Sequence, residues 1–186
     1  MAQLCTGLLL SCFCLFHFYE VDAQRAKVDS LLYALDQHSE IENDLRDTVL
    51  VRLHNELAWE YYRLSRYDTA AYHIDRALSL LQPLSAQHPQ VQKLRGSALN
   101  NQGSLLTERA AYDSALQAFR QAVEIWEQLR DTLGMANAYN NMGIIYDYRG
   151  EFDKSIARYK LALELRKAVN NTVGIADAYN NLGVVY

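Results

Sequence analysis

Nine residues at 138–146, AYNNMGIIY, return almost unchanged at 178–186 as AYNNLGVVY. Gly143 and Gly183 stand 40 residues apart, and one further step back reaches Gly103 inside ALNNQGSLL, 98–106. Thr132, Gly134 and Ala136 recur as Thr172, Gly174 and Ala176. Tyr112-Asp113-x-Ala115 recurs as Phe152-Asp153-x-Ser155, and Phe119 and Ala122 recur as Tyr159 and Ala162. A more diverged copy keeps Ala58, Tyr61, Tyr67-Asp68-x-Ala70, Ile74 and Ala77 at an offset of 45, because QPLSAQHPQVQ (82–92) adds five residues. Three full units and the start of a fourth are visible. A fixed period of this length constrains the fold more than any other feature. A unit this short cannot bury its own apolar face and must stack on its neighbours.

The unit is helical. Apolar residues in ANAYNNMGIIYDY and SIARYKLALELRKAV recur at helical spacing, giving two amphipathic helices per unit. Two prolines and eight glycines in 186 residues leave too few turns for a strand-rich chain, so the fold class is all-α. Gly143 and Ala162 are small where two helix axes must approach; Tyr146 and Tyr159 are large where the gap must be filled. Leu at Ala162 should overpack, at a cost of roughly 1–3 kcal/mol. Arg149-Gly150-Glu151 reads as the tight turn, with Gly150 for a left-handed cap. Asp68, Asp113 and Asp153 fall at the start of the second helices, where a carboxylate suits the helix dipole. Asp131 and Asn171 are N-cap candidates; Asn170-Asn171-Thr172 also matches a glycosylation sequon, but cap and turn chemistry is the preferred reading.

These positions resemble the tetratricopeptide repeat (TPR) family: an aromatic, Leu-Gly, a second aromatic, Gly-x-aromatic, Ala, an aromatic and Ala. Unit three supplies Tyr139, Met142-Gly143, Tyr146, Gly150-x-Phe152, Ser155, Tyr159 and Ala162. Unit two departs with Leu99, Leu106 and Ala110, and unit one with His54 and Ala58. The resemblance covers about residues 44–186 and implies a right-handed α-solenoid of helix-turn-helix repeats. The expected units are 44–92 (with an extended linker), 93–130, 131–170 and, as a first helix alone, 171–186. Region 24–43 holds Val28, Leu31, Leu32 and Leu35 and is expected to cap the first unit. Leu182, Val184, Val185 and Tyr186 have no second helix after them, and the expectation is a fragment of a longer array.

Composition excludes several functions. A formal charge of −4, pI ≈ 5.7 and no basic block argue against nucleic acid. Cys5, Cys12 and Cys14 all lie within LCTGLLLSCFCLFHFY or its edge (4–19), which falls short of the length a spanning helix needs. Val21 and Ala23 then occupy the −3 and −1 positions of a cleavage site, so residues 1–23 read as a signal peptide. A lipidated Cys12 and an uncleaved anchor are the rivals. The expected location is outside the cytoplasm, periplasmic or membrane-anchored. Contact with a membrane would come only through that lipid or a missing C-terminal segment. His17, His38, His54, His73 and His88 show no metal-ligand spacing, and there is no phosphate-binding loop or nucleophile motif. No catalytic residue, metal or cofactor is expected. His54 and His73 are expected as neighbours within unit one, packed rather than ligating.

The sharpest functional feature is the asparagine pairs. In the TPR pattern the first helix of each unit lines the concave face, so Asn100-Asn101, Asn140-Asn141 and Asn180-Asn181 form a ladder, one rung per unit. An amide offers donor and acceptor together, and a row of them suits the backbone of an extended peptide. Related repeats of kinesin light chains use such asparagines this way, which the resemblance implies here for Asn101, Asn141 and Asn181. The alternative is that they bond between adjacent helices. Ser97, Asn137 and Asp177 would add specificity, and Tyr62 and Tyr148 are the groove aromatics. Tyr61, Tyr67, Tyr112, Tyr139, Tyr146, Tyr159 and Tyr179 fall on core positions. The groove reads as lacking Lys and Arg to clamp a carboxylate. The implied partner is a peptide or protein. The layout also resembles the N-terminal periplasmic region of bacterial TPR-containing sensor histidine kinases and related signalling proteins, with an envelope scaffold as the alternative.

Overall fold

The computed structural model describes residues 21–38, 46–85 and 87–186, and every regular element among them is a helix. Helix α1 runs over 21–38, followed by α2 (Arg46–Arg63), α3 (Tyr67–Leu81), α4 (Pro89–Glu108), α5 (Tyr112–Leu129), α6 (Thr132–Tyr148), α7 (Phe152–Ala168) and α8 (Thr172–Val185). The cysteines lie outside the described residues, and the expected cleavage point after Ala23 falls within the described helix.

Five of the helices, α2, α4, α5, α6 and α7, end in the same way. The N–H groups of Arg66, Ala111 and Glu151 reach back to the carbonyls of Tyr61, Leu106 and Tyr146 at 2.8–2.9 Å. The residue before each donor is left-handed: Ser65 (φ 56°), Ala110 (φ 54°) and Gly150 (φ 69°). This closure satisfies carbonyls the helix would otherwise leave open. Arg130 and Asn170 do the same after α5 and α7. Only one of the five positions is glycine.

Asp68, Asp113 and Asp153 lie in the first turn of the second helices, as expected, while the N-caps before them, Arg66, Ala111 and Glu151, make no side-chain cap bond. Asp68 and Asp113 also pair with Arg109 (3.4 Å) and Arg149 (2.6 Å) of the following unit. The linker runs from the end of α3 at Leu81 to the start of α4 at Pro89. His88 caps α4 by accepting from Gln90 N–H at 3.3 Å, and Pro89 opens the helix, where its missing N–H costs nothing. Asp131 and Asn171 accept from the N–H of Gly134 (3.0 Å) and Gly174 (2.9 Å).

The core follows the repeat. α5 and α6 share Phe119, Val123, Trp126, Met142, Ile145 and Tyr146; α7 and α8 share Tyr159, Leu163, Ala178 and Leu182. The glycines let rings lie on helix backbone. A Cβ on Gly103 would fall 2.6 Å from Phe119, and one on Gly143 2.6 Å from Tyr159. α1 lays Val28 and Leu31 on Leu53, Leu57 and Tyr61, and Lys27 pairs with the buried Glu60. Tyr179 departs from its expected core position and stands 54% exposed. Its counterpart Tyr139 packs on the α5 core and lies under Arg158 of α7, whereas the exposed ring of Tyr179 lies under Lys167 of α7 at 5.9 Å.

Candidate groove of asparagines and aromatics

The first helices of successive units, α2, α4, α6 and α8, carry matching positions along one face. Counting by 45 and then 40 aligns Arg52, Ser97, Asn137 and Asp177; Asn55, Asn100, Asn140 and Asn180; Glu56, Asn101, Asn141 and Asn181; and Trp59, Ser104, Ile144 and Val184. Asn55-Glu56 is thus the first rung of the ladder, which the Asn-Asn spelling alone hides.

The rungs bond to one another. Asn141 Nδ2 donates to Asn100 Oδ1 at 3.3 Å, and Asn181 Nδ2 to Asn140 Oδ1 at 2.9 Å. At the first junction Asn101 Nδ2 donates to the backbone oxygen of Asn55 at 3.0 Å. The inter-helix alternative therefore holds for these amides. It occupies only part of them: an asparagine has two N–H and two lone pairs, so each direct bond orients a rung and leaves a donor on the first amide and an acceptor on the second.

Two cavities open on this face. One of about 340 Å³ lies between α1, α2 and α4, against Arg52, Asn55, Trp59, Leu94 and Asn101. The other, about 110 Å³, is bordered by Tyr62, Ser104, Glu108, Asn141, Ile144 and Tyr148. Lys27, Arg52 and Lys93 all border the larger cavity, so the groove does contain cations; two come from positions whose relation to the ladder appears only in three dimensions. Tyr148 is exposed, with its ring 6.2 Å from Tyr112. Tyr62 OH donates to Glu108 Oε1 at 2.9 Å and Tyr67 OH to Glu108 Oε2 at 3.2 Å. Burial, then Glu108, pushes the Tyr62 phenol up, so it stays a donor. Ser97 Oγ is spent on Lys93 O at 3.2 Å within its own helix.

Arg166, which the sequence reading passed over, reaches the same face from α7. Its Nη1 donates to Gly174 O (2.7 Å) and its Nη2 to Asn137 Oδ1 (3.4 Å). Burial lowers its pKa, partly countered by Asp177. In the preceding unit the equivalent position is Trp126, packed on Gly134.

In unit one His54 and His73 are both buried, with Nδ1 atoms 2.8 Å apart. Burial is the main cause that lowers each to about 4, so both are neutral at pH 7 and one Nδ1–H donates to the other ring's Nδ1. Tyr61 stacks on His73 at 5.4 Å. Among the described residues no group of three or more His, Cys, Asp or Glu is placed to hold a metal, and no helix is long and apolar enough to cross a membrane.

A family model described as "Tetratricopeptide repeat" matches residues 94–168 and again 134–186, together half of the chain. The chain belongs to the tetratricopeptide repeat family. Its first unit, outside the match, has the same paired helices in this TPR chain despite Ala58 and His54. The fold is similar to the crystal structure of BtubC (BKLC) from P. vanneervenii, with a TM-score of 0.70 at 21% identity over 88% of this chain and 65% of that one. It is also similar to the apo form of RapI, with a TM-score of 0.67 at 18% identity over 88% of this chain and 44% of that one. This TPR chain therefore spans less than two thirds of either structure's length. No curated protein matches its sequence.

Proposed function

We propose that this chain is a protein–protein interaction module that holds an extended segment of its partner along α2, α4, α6 and α8. One observation carries the reading: the rung-to-rung bonds fix the asparagine amides while leaving a donor and an acceptor on successive helices. Packed helices stand about 8–10 Å apart and an extended chain advances about 3.3 Å per residue, so each rung would meet every third residue of the bound segment. Main-chain recognition of this kind tolerates many sequences and leaves selectivity to the side chains around it.

Replacing Asn100 and Asn140 by Asp tests the reading, because it keeps the acceptor each offers to the next rung and removes the outward N–H. Peptides selected by display on the full chain should bind the double variant far more weakly, with helical circular dichroism and melting nearly unchanged. Equal binding would remove the ladder from recognition.

We infer further that the module is exported and is the sensory part of a signalling protein, a reading supported by the uncharged segment 4–19, the cleavage-like Val21 and Ala23, and the order of elements that follows. A fusion of residues 1–40 to a phosphatase active only outside the cytoplasm tests export; an inactive, cell-retained fusion rejects it. The signalling reading fails if the reading frame continues through further repeats to a stop codon without a membrane span. A self-associating envelope scaffold is the rival, and a stable monomer in light scattering disfavours it.

A further inference from the structure

The ladder is broken at its first junction. At the later junctions the incoming amide meets the Oδ1 of the preceding rung, but Asn101 bonds to the backbone of Asn55. The cause is local: the Asn55 amide is committed to α4 through its Nδ2, which donates to Leu94 O at 3.0 Å. Asn55 is only 6% exposed, and its Oδ1 is buried without a hydrogen-bond partner while the residue borders the 340 Å³ cavity. A buried acceptor left without a donor is costly, so a ligand N–H that reaches it gains more than an ordinary surface hydrogen bond.

The surroundings say what carries that N–H. Trp59 offers an indole face 42% exposed, held by stacking on Tyr62 at 5.5 Å and 16°, and Leu94 adds a second apolar surface. Most of the charges at the rim are already engaged: Lys27 and Arg63 with Glu60, and Lys93 with Asp131 at 3.4 Å. Arg52 and Glu56 remain, opposite in sign and one turn apart on α2, so their fields largely cancel. The volume sits at the small end of ligand pockets, about 300–1,000 Å³, and accepts a bulky side chain with its flanking backbone.

We propose that this cavity is the anchor site of the groove: it takes one uncharged apolar side chain of the bound segment against Trp59 and Leu94, while that residue's backbone N–H donates to Asn55 Oδ1. The inference rests on the peptide-binding reading and names where the bound segment is selected.

The test uses the ¹⁵N-labelled full chain and capped pentapeptides, acetyl-Gly-Gly-X-Gly-Gly-amide, with X as Leu, Phe, Glu, Lys or Gly. The Leu and Phe peptides should shift the Trp59 indole resonance and leave that of buried Trp126 in place, binding about tenfold or more tighter than the Gly peptide. An N-methyl-Leu peptide, lacking the N–H, should lose about tenfold. Trp59→Ala should abolish the preference for Leu and Phe. Shifts at the Asn100 and Asn140 side-chain amides without any at Trp59 would overturn the anchor and leave the groove reading standing. A site that prefers Glu or Lys overturns the neutral-anchor assignment, and shifts at neither place overturn both readings.

Discussion

Units one and three build the same two-helix crossing in opposite ways. In unit three Gly143 lies bare beneath the Tyr159 ring; in unit one the equivalent positions are Ala58 and Ile74, both buried and packed together. A second pair of positions behaves likewise. His54 and His73 hydrogen-bond in unit one, Leu99 and Ala118 occupy those positions in unit two, and in unit three Arg158 lies 5.9 Å over the Tyr139 ring. Between units the series is Leu81 with Leu94, Trp126 over Gly134, and Arg166 over Gly174. What each crossing holds constant is the volume filled by a pair, and single residues are free to change only with their partner.

The histidine pair gives the largest way to break the comparison. Each imidazole is held near 4 in the fold against 6.5 unfolded, so below 6.5 the unfolded chain takes up protons the folded chain refuses. The contribution is present above pH 6.5 and is lost as the pH falls towards about 4, on the order of 3 kcal/mol for each imidazole in denaturant melts. Transplanting unit two's residues, His54→Leu with His73→Ala, should flatten that slope. An unchanged slope would place the acid sensitivity elsewhere.

Next in size is the glycine crossing. Gly103→Ala puts a Cβ against three atoms of the Phe119 ring and should cost roughly 1–3 kcal/mol. Adding Phe119→Ile recreates the Ala58–Ile74 pair of unit one, so the double variant should be more stable than the two single losses summed. Strict additivity in the cycle would show that the pair is not a unit.

The ladder effect is smaller. Asn141→Ala removes the bond to Asn100 and should lower stability by about 1 kcal/mol, measured by chemical denaturation. Smallest, and opposite in sign, is Gly183→Ala. No atom lies within 4 Å of the added Cβ, so only helix propensity acts, and the chain should gain roughly 0.5–1 kcal/mol. The same substitution at Gly143 should destabilise; equal effects at the two glycines would contradict the packing account.

Much of the fold was legible because the period repeats its own evidence. Gly143, Tyr146 and Ala162 state a crossing, and Gly103, Phe119 and Ala122 state it again. The left-handed turns were legible only at Gly150, since Ser65 and Ala110 adopt the same conformation with residues that do not advertise it. The asparagine rows were legible as positions. Their bonding was hidden, because an amide that faces a ligand and one that ties two helices together look alike in a sequence. Asn55 was hidden by its neighbour Glu56, although the 45-residue offset points to it. Arg166 was hidden because a cation seven residues beyond Tyr159 ordinarily reads as solvated surface.

By itself, then, the sequence determined that this chain is a helical solenoid, which residues fill each crossing, and that asparagines line up once per unit. Those follow from period and side-chain size, which are local and repeated. Tertiary structure alone decided that the rungs bond to one another, that two buried histidines meet at Nδ1, and that the first rung gives its amide to Leu94 O beside a cavity bordered by Trp59. Each of these depends on which of several competing partners an amide or imidazole meets, and that choice is made by neighbouring helices brought together from 19 to 46 residues apart.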